Sequence, residues 1–141
     1  MLRDVTRAGL TGLIALLGFA GCSLGADEER GSTEPARGAP KEVAATVKAL
    51  ERAVRARDWR AICDDLFTPS ARRRAGGRDC PRLVRSSAGE LRSPRIQLLA
   101  IELRRGRAEA RVRTRARGQA PLTDTITLRR ARGGYLIEAL R

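Results

Sequence analysis

The sequence predicts an α+β domain in which N-terminal helices pack on a four-stranded antiparallel sheet. Three observations predict it. Val43, Val47, Leu50 and Val54 recur at the spacing of one helix face. From Arg95 onward the apolar period changes to two, the period of strands. The chain has 141 residues, which is room for one small domain and little else.

The first 21 residues read as an address rather than as part of the fold. Arg3 and Arg7 make a short basic start, and Leu10 to Ala20 is apolar or small. That run is about half the roughly 20 residues a membrane-spanning helix needs. A basic start, a short apolar run and small residues after it compose a secretory signal peptide. The run ends in Phe19-Ala20-Gly21-Cys22. This tetrapeptide resembles the lipobox of bacterial lipoproteins, where a small residue precedes a Cys that is lipidated and becomes the new N-terminus. The family usually has Leu three residues before the Cys, and this chain has Phe19. The resemblance implies lipid on Cys22, export, and anchorage to the outer face of the cell membrane. An ordinary signal peptide cut nearby is the alternative.

Three Cys is an odd number, and an exported chain with an odd Cys has one thiol to explain. With lipid on Cys22, Cys63 and Cys80 remain. An exporting compartment allows them to form a disulfide, and closing a loop of about 18 residues is worth about 3 kcal/mol in the chain-entropy picture. Two independent buried thiols are the alternative. Two Cys without His make a poor zinc site, and no Cys-x-x-Cys is present for redox chemistry.

Residues 22–40 read as the lipidated Cys and a disordered tether, rich in Gly, Ala, Ser, Glu, Arg and Pro without apolar period. Its length would hold the domain roughly 20–25 Å from the membrane on average. The domain is expected over residues 41–141. Pro40 and Glu42 suit a helix start, and that helix should end near Arg57. Asp58 looks like the N-cap of a second, short helix that turns Trp59, Ile62 and Leu66 to the core. Thr68-Pro69 is a further cap-plus-Pro start, and the helix after it should stop at Gly76-Gly77. A fourth helical piece is expected from Cys80 to Ser87, carrying Leu83 and Val84.

In the strand half, Ile96 and Leu98 alternate in one phase and Leu99, Ile101 and Leu103 in the other. A bulge near Leu98-Leu99 reconciles them. Arg104-Arg105-Gly106 reads as a hairpin turn. Ala108, Ala110, Val112 and Thr114 then share one face, with Glu109, Arg111, Arg113 and Arg115 on the other. Arg117 to Pro121 is a loop. Leu122, Ile126 and Leu128 share a face in the third strand, Gly133-Gly134 makes the last tight turn, and Tyr135 to Leu140 is a final short strand.

This order of elements, with Asp58-Trp59 and Cys63 in the second helix, Thr68-Pro69-Ser70-Ala71-Arg72 in the third and Cys80 opening the fourth, is similar to the nuclear-transport-factor-2-like, or polyketide-cyclase-like, cone fold. The resemblance covers about Lys41 to Arg141. It implies a curved sheet wrapped around the helices to leave a pocket. Enzymatic members of that family use an Asp with Tyr or His partners in the pocket.

Composition excludes much of that chemistry. His is absent, Tyr135 is the one Tyr and Trp59 the one Trp. There is therefore no His triad, general base or metal ligand, and no metal or other cofactor is expected. Asp124 falls on the inward face with Leu122 and Ile126, which makes it the one candidate base; a solvated or Arg-paired carboxylate is the alternative reading. With Trp59 and Tyr135 it makes a possible pocket set, although Trp59 is most simply a large core residue. Arg111, Arg113 and Arg115 repeat every second residue, about 6.5–7 Å apart on one sheet face. Such a row suits phosphate or carboxylate groups on a polymer or on lipid headgroups; a solvated outer face is the alternative. The net charge of +13 is almost all Arg, with Lys41 and Lys48 the lone lysines. A GC-rich genome produces that pattern without selection for an anionic partner. The scarcity of aromatics argues against a base-stacking nucleic-acid surface, and export argues against nucleic acid as the partner.

The sequence therefore points to a non-catalytic binding or interaction module at the cell envelope, anchored to membrane through its N-terminus and taking a small ligand or an anionic polymer. A small-molecule enzyme using Asp124 and an Arg-rich scaffold are the competing expectations. The sequence sets no oligomeric state.

Overall fold

The computed structural model describes residues 38–141. The signal segment, Cys22 and most of the expected tether lie outside the described residues. Among the described residues, no helix is long and apolar enough to cross a membrane.

Helix α1 spans Ala39–Ala56. It begins at the last two residues of the expected tether, because Pro at the second helical position costs no hydrogen bond. Ala39 is fully buried, so the packed domain starts there. The predicted face is the buried one: Val43, Val47 and Leu50 face the core. Asp58 caps helix α2 (Trp59–Ala61), its side chain accepting from the Ala61 amide. The chain then widens into a π-helical turn, Ile62–Leu66, closed by the Phe67 amide donating to the Ile62 carbonyl at 3.0 Å. In this wide turn the adjacent Ile62 and Cys63 are both buried, whereas Trp59 and Leu66 are only half-buried against the core. Thr68 caps helix α3 (Pro69–Arg74) by accepting from the Ala71 amide. A 3₁₀ turn at Gly77–Asp79 leads into helix α4 (Cys80–Ala88). Gly76 between them has φ +103°, the left-handed region that favours glycine.

The sheet is a meander in the order β1-β2-β3-β4, all neighbours antiparallel. The strands are β1 (Arg95–Arg104), β2 (Arg107–Arg115), β3 (Leu122–Ala131) and β4 (Gly134–Leu140). The register of β1 on β2 shifts between Leu98 and Ala100, where the change of alternation predicts a bulge. A second shift, between Thr127 and Leu128 against β4, has no such signature in the sequence. The last turn is Arg132-Gly133 rather than Gly133-Gly134, because Gly134 already pairs with Ala131. On the inner face, Ala108, Ala110, Val112, Ile126, Leu128 and Ile137 are buried.

Helix α1 reaches both edge strands. Glu51 Oε2 accepts from the Ile96 amide of β1 at 3.0 Å, and Thr46 Oγ1 donates to the Tyr135 carbonyl of β4 at 2.8 Å. Two side-chain hydrogen bonds thereby add direction to an apolar contact that has none of its own.

Candidate functional site

Helices α1 and α3 pack on the sheet, whereas α4 packs chiefly on α2 and the π-helical turn. The space between α4 and the inner sheet face is a cavity of about 550 Å³, within the usual range for small-molecule sites. Its helical walls include Leu50, Val54, Val84 and Ala88, and its sheet wall Ile96, Val112 and Ile126. Leu83 and Leu140, exposed by 39% and 53%, also line it. These two large apolar side chains stand at the opening rather than in the core. The predicted inward phase of β2 and β3 is what supplies the sheet wall.

The disulfide sits behind this arrangement. Cys63 and Cys80 are both buried and bonded to each other. The bond joins the π-helical turn to the first residue of α4. It therefore holds α4 to its helical neighbours at the end from which the cavity wall runs.

Asp124 is half-buried, opposite Val112 in the register, and lines the cavity. The other polar lining groups are Arg74, Ser87, Thr114 and Arg141. Among the described residues, no ion pair reaches Asp124. Trp59 and Tyr135 do not join it. Trp59 lines a separate, smaller depression between the α1–α2 corner and α4. Tyr135 is buried beside α1 on another side of the domain, and Arg130 lies over its ring at 5.9 Å. The three possible pocket residues thus occupy three different places. Among the described residues, no group of three His, Cys, Asp or Glu side chains is placed to hold a metal ion.

Arg111, Arg113 and Arg115 lie on the outer face as their alternation predicts, with Arg111 and Arg115 exposed and Arg113 half-buried. Across the β1–β2 ladder they face Ala100, Gln97 and Arg95, and across β2–β3 Arg111 and Arg113 face Thr125 and Thr123. Arg95 opposite Arg115 is a like-charge pair, which sheet neighbours normally avoid.

One polar cluster escapes a reading of the sequence. Glu138 falls between the Thr127–Ala139 and Leu128–Ile137 pairs, at the extra residue of the second register shift. Its carboxylate accepts from Ser70 Oγ and Thr68 Oγ1, both at 2.9 Å. Arg74 and Arg129 close on it at 3.2 and 3.4 Å. The Ser70 hydrogen bond, with those of Thr68 and Arg74 and the Arg129 charge, lowers its pKa from 4.5 to about 2 against the opposing cost of burial. The only local signal is the Thr68-Pro69 cap itself, which does not say what sits over it. Arg74 belongs both to this cluster and to the cavity wall.

No family model, no curated protein and no solved structure matches the chain.

Proposed function

We propose that this chain is a non-catalytic binding module of the nuclear-transport-factor-2-like cone type, held at the outer face of the membrane by lipid on Cys22, and that its ligand occupies the cavity between α4 and the sheet. The observation that carries this reading is the cavity wall: it is mainly aliphatic, it opens between Leu83 and Leu140, and its polar groups are few. That composition suits a small, largely apolar molecule oriented by one or two polar contacts. The order of helices followed by a meander supports the cone reading. The position of Cys22 after a basic start and an apolar run supports the anchor.

The cavity is tested by titrating the full chain with an apolar dye such as N-phenyl-1-naphthylamine, alongside Ala88→Phe, which fills the cavity from its helical wall. One saturable site that weakens about tenfold in the variant is expected. Absence of saturable binding, or equal binding by the variant, rejects the cavity as a ligand site. The anchor is tested by intact mass of the protein extracted from its native membranes. A species beginning at Cys22 with a diacylglyceryl-sized addition is expected; a chain retaining residues 1–21 rejects it.

The lining position of Asp124 favours a second reading, a small-molecule enzyme with that carboxylate as base. Such chemistry normally needs a positioned proton donor as well. The chain has no His, and its one Tyr lies away from the cavity. The binding reading is therefore the better supported.

A further inference from the structure

The depression that holds Trp59 has a chemistry of its own. It is a concavity of about 400 Å³ between the α1–α2 corner and α4. Arg57 and Arg60 flank Trp59 on one wall, and Arg82 and Arg85 stand one helical turn apart on the other. Pro81 is the one aliphatic side chain in the wall. Four guanidinium groups face a single carboxylate, Asp58, whose Oδ1 is already occupied by the Ala61 amide. Arg82 has a long, exposed contact to Asp79 at 3.7 Å. Among the described residues, Arg57, Arg60 and Arg85 have no carboxylate within ion-pair distance. The site therefore carries a net excess of positive charge around one half-buried aromatic ring.

Two further observations bear on how these charges are held. Arg57 has φ +58° because it ends α1 as its C-cap, its amide donating to the Ala53 and Val54 carbonyls. A glycine at this cap would avoid the cost of the left-handed conformation. The walls are also fixed: Cys63 follows one turn after Trp59, Cys80 directly precedes Pro81, and the disulfide joins them. The charges are thus presented across a rigid gap rather than on two mobile helices.

We propose that this concavity binds an anionic saccharide. Arg forks match carboxylate and phosphate oxygens. The exposed part of Trp59 offers aromatic surface to the polarised C–H groups of a sugar ring. A peptide would find Pro81 as the one aliphatic side chain to pack against here. A nucleic acid would find one stacking platform where single-strand binders use several. The proposal is independent of the large cavity, with which this depression shares no lining residue.

Trp59 is the one tryptophan of the chain, so its emission reports this site alone. The experiment titrates the full chain with a uronic-acid oligosaccharide and with a neutral oligosaccharide of equal length. A saturable change in emission with the acidic oligomer, weakened by salt, is expected, with no change for the neutral one. Arg57→Gly, which relieves the backbone cost and so keeps the fold, and Arg85→Gln, on an exposed helix face, are each expected to weaken binding about fivefold or more. Arg111→Gln, Arg113→Gln and Arg115→Gln together are expected to leave it unchanged. No emission change with the acidic oligomer overturns the proposal. So does loss of binding that follows the outer-sheet variants instead of Arg57 and Arg85, since that is the behaviour of the general positive charge. Equal affinity for inorganic polyphosphate overturns the assignment to a saccharide.

Discussion

Thr68 Oγ1 donates to Glu138 Oε2 at 2.9 Å while accepting from the Ala71 amide at 3.1 Å. One hydroxyl thereby caps a helix and fastens that helix to the last strand. The Thr68 amide donates to the Ile137 carbonyl at 2.9 Å beside it, and Phe67 pairs with Ile137 in a short parallel bridge. The junction between helical half and sheet is therefore made by backbone and side chain together. It is built around a carboxylate that the second register shift turns out of the ladder.

Glu138 makes the fold acid-sensitive in a defined window. Its folded pKa of about 2 lies below the ordinary carboxylate value of 4.5. The unfolded chain thus binds the proton more readily, and stability rises with pH across that interval. The contribution is complete above about 4.5 and fades as pH falls toward 2. Urea unfolding across this range should show that slope in the parent, and Glu138→Gln should flatten it. At neutral pH, Glu138→Gln should cost about 1–3 kcal/mol, as hydrogen-bond donors lose a charged acceptor.

The disulfide should carry a large share of stability. Two mass units gained on reduction identify the bond, and Cys63→Ser with Cys80→Ser should lower stability by about 2–5 kcal/mol. The same double variant should lose affinity for the apolar dye, because α4 is then no longer tied to the π-helical turn. A double variant as stable as the parent contradicts this.

Two leucines on the third strand should respond oppositely to truncation. Leu128 is fully buried, so Leu128→Ala should cost about 2–5 kcal/mol in urea unfolding. Leu122 is 60% exposed, and Leu122→Ala should stay within about 0.5 kcal/mol of the parent. Equal losses at the two positions would contradict the burial difference.

The outer face should be stabilised by losing charge. Arg115 stands opposite Arg95 in the register. Arg115→Gln removes that repulsion and should raise stability by about 0.2–1 kcal/mol at low salt. The gain should shrink at high salt through screening. A loss of stability instead would show that Arg115 makes contacts worth more than the repulsion.

Local sequence pattern places the elements and most of their edges. The 3.6-residue period of Val43, Val47 and Leu50 places the buried face of α1, and Asp58 and Thr68 announce their caps. The alternation through Ala108, Ala110 and Val112 assigns the inner face of β2, and the change of phase at Leu98-Leu99 marks the first bulge. These are local patterns, legible because a helix or strand repeats its geometry every few residues. The pairing of Cys63 with Cys80 was also within reach, through the odd count of cysteines.

Tertiary structure alone decided where the site residues meet. Asp124, Trp59 and Tyr135 share no depression, because α4 stands off the sheet and divides the surface near Trp59 from the cavity near Asp124. Glu138 meets Ser70 and Thr68 across separations of 68 and 70 residues, at a bulge with no signature in its strand. Arg57, Arg60, Arg82 and Arg85 read in sequence as scattered members of a general excess, and the packing of α4 on α2 gathers them around one ring. Periodicity says which face of an element is buried. It carries no information about which distant element covers that face or how closely, and the cavity, the carboxylate cluster and the cationic depression all depend on that.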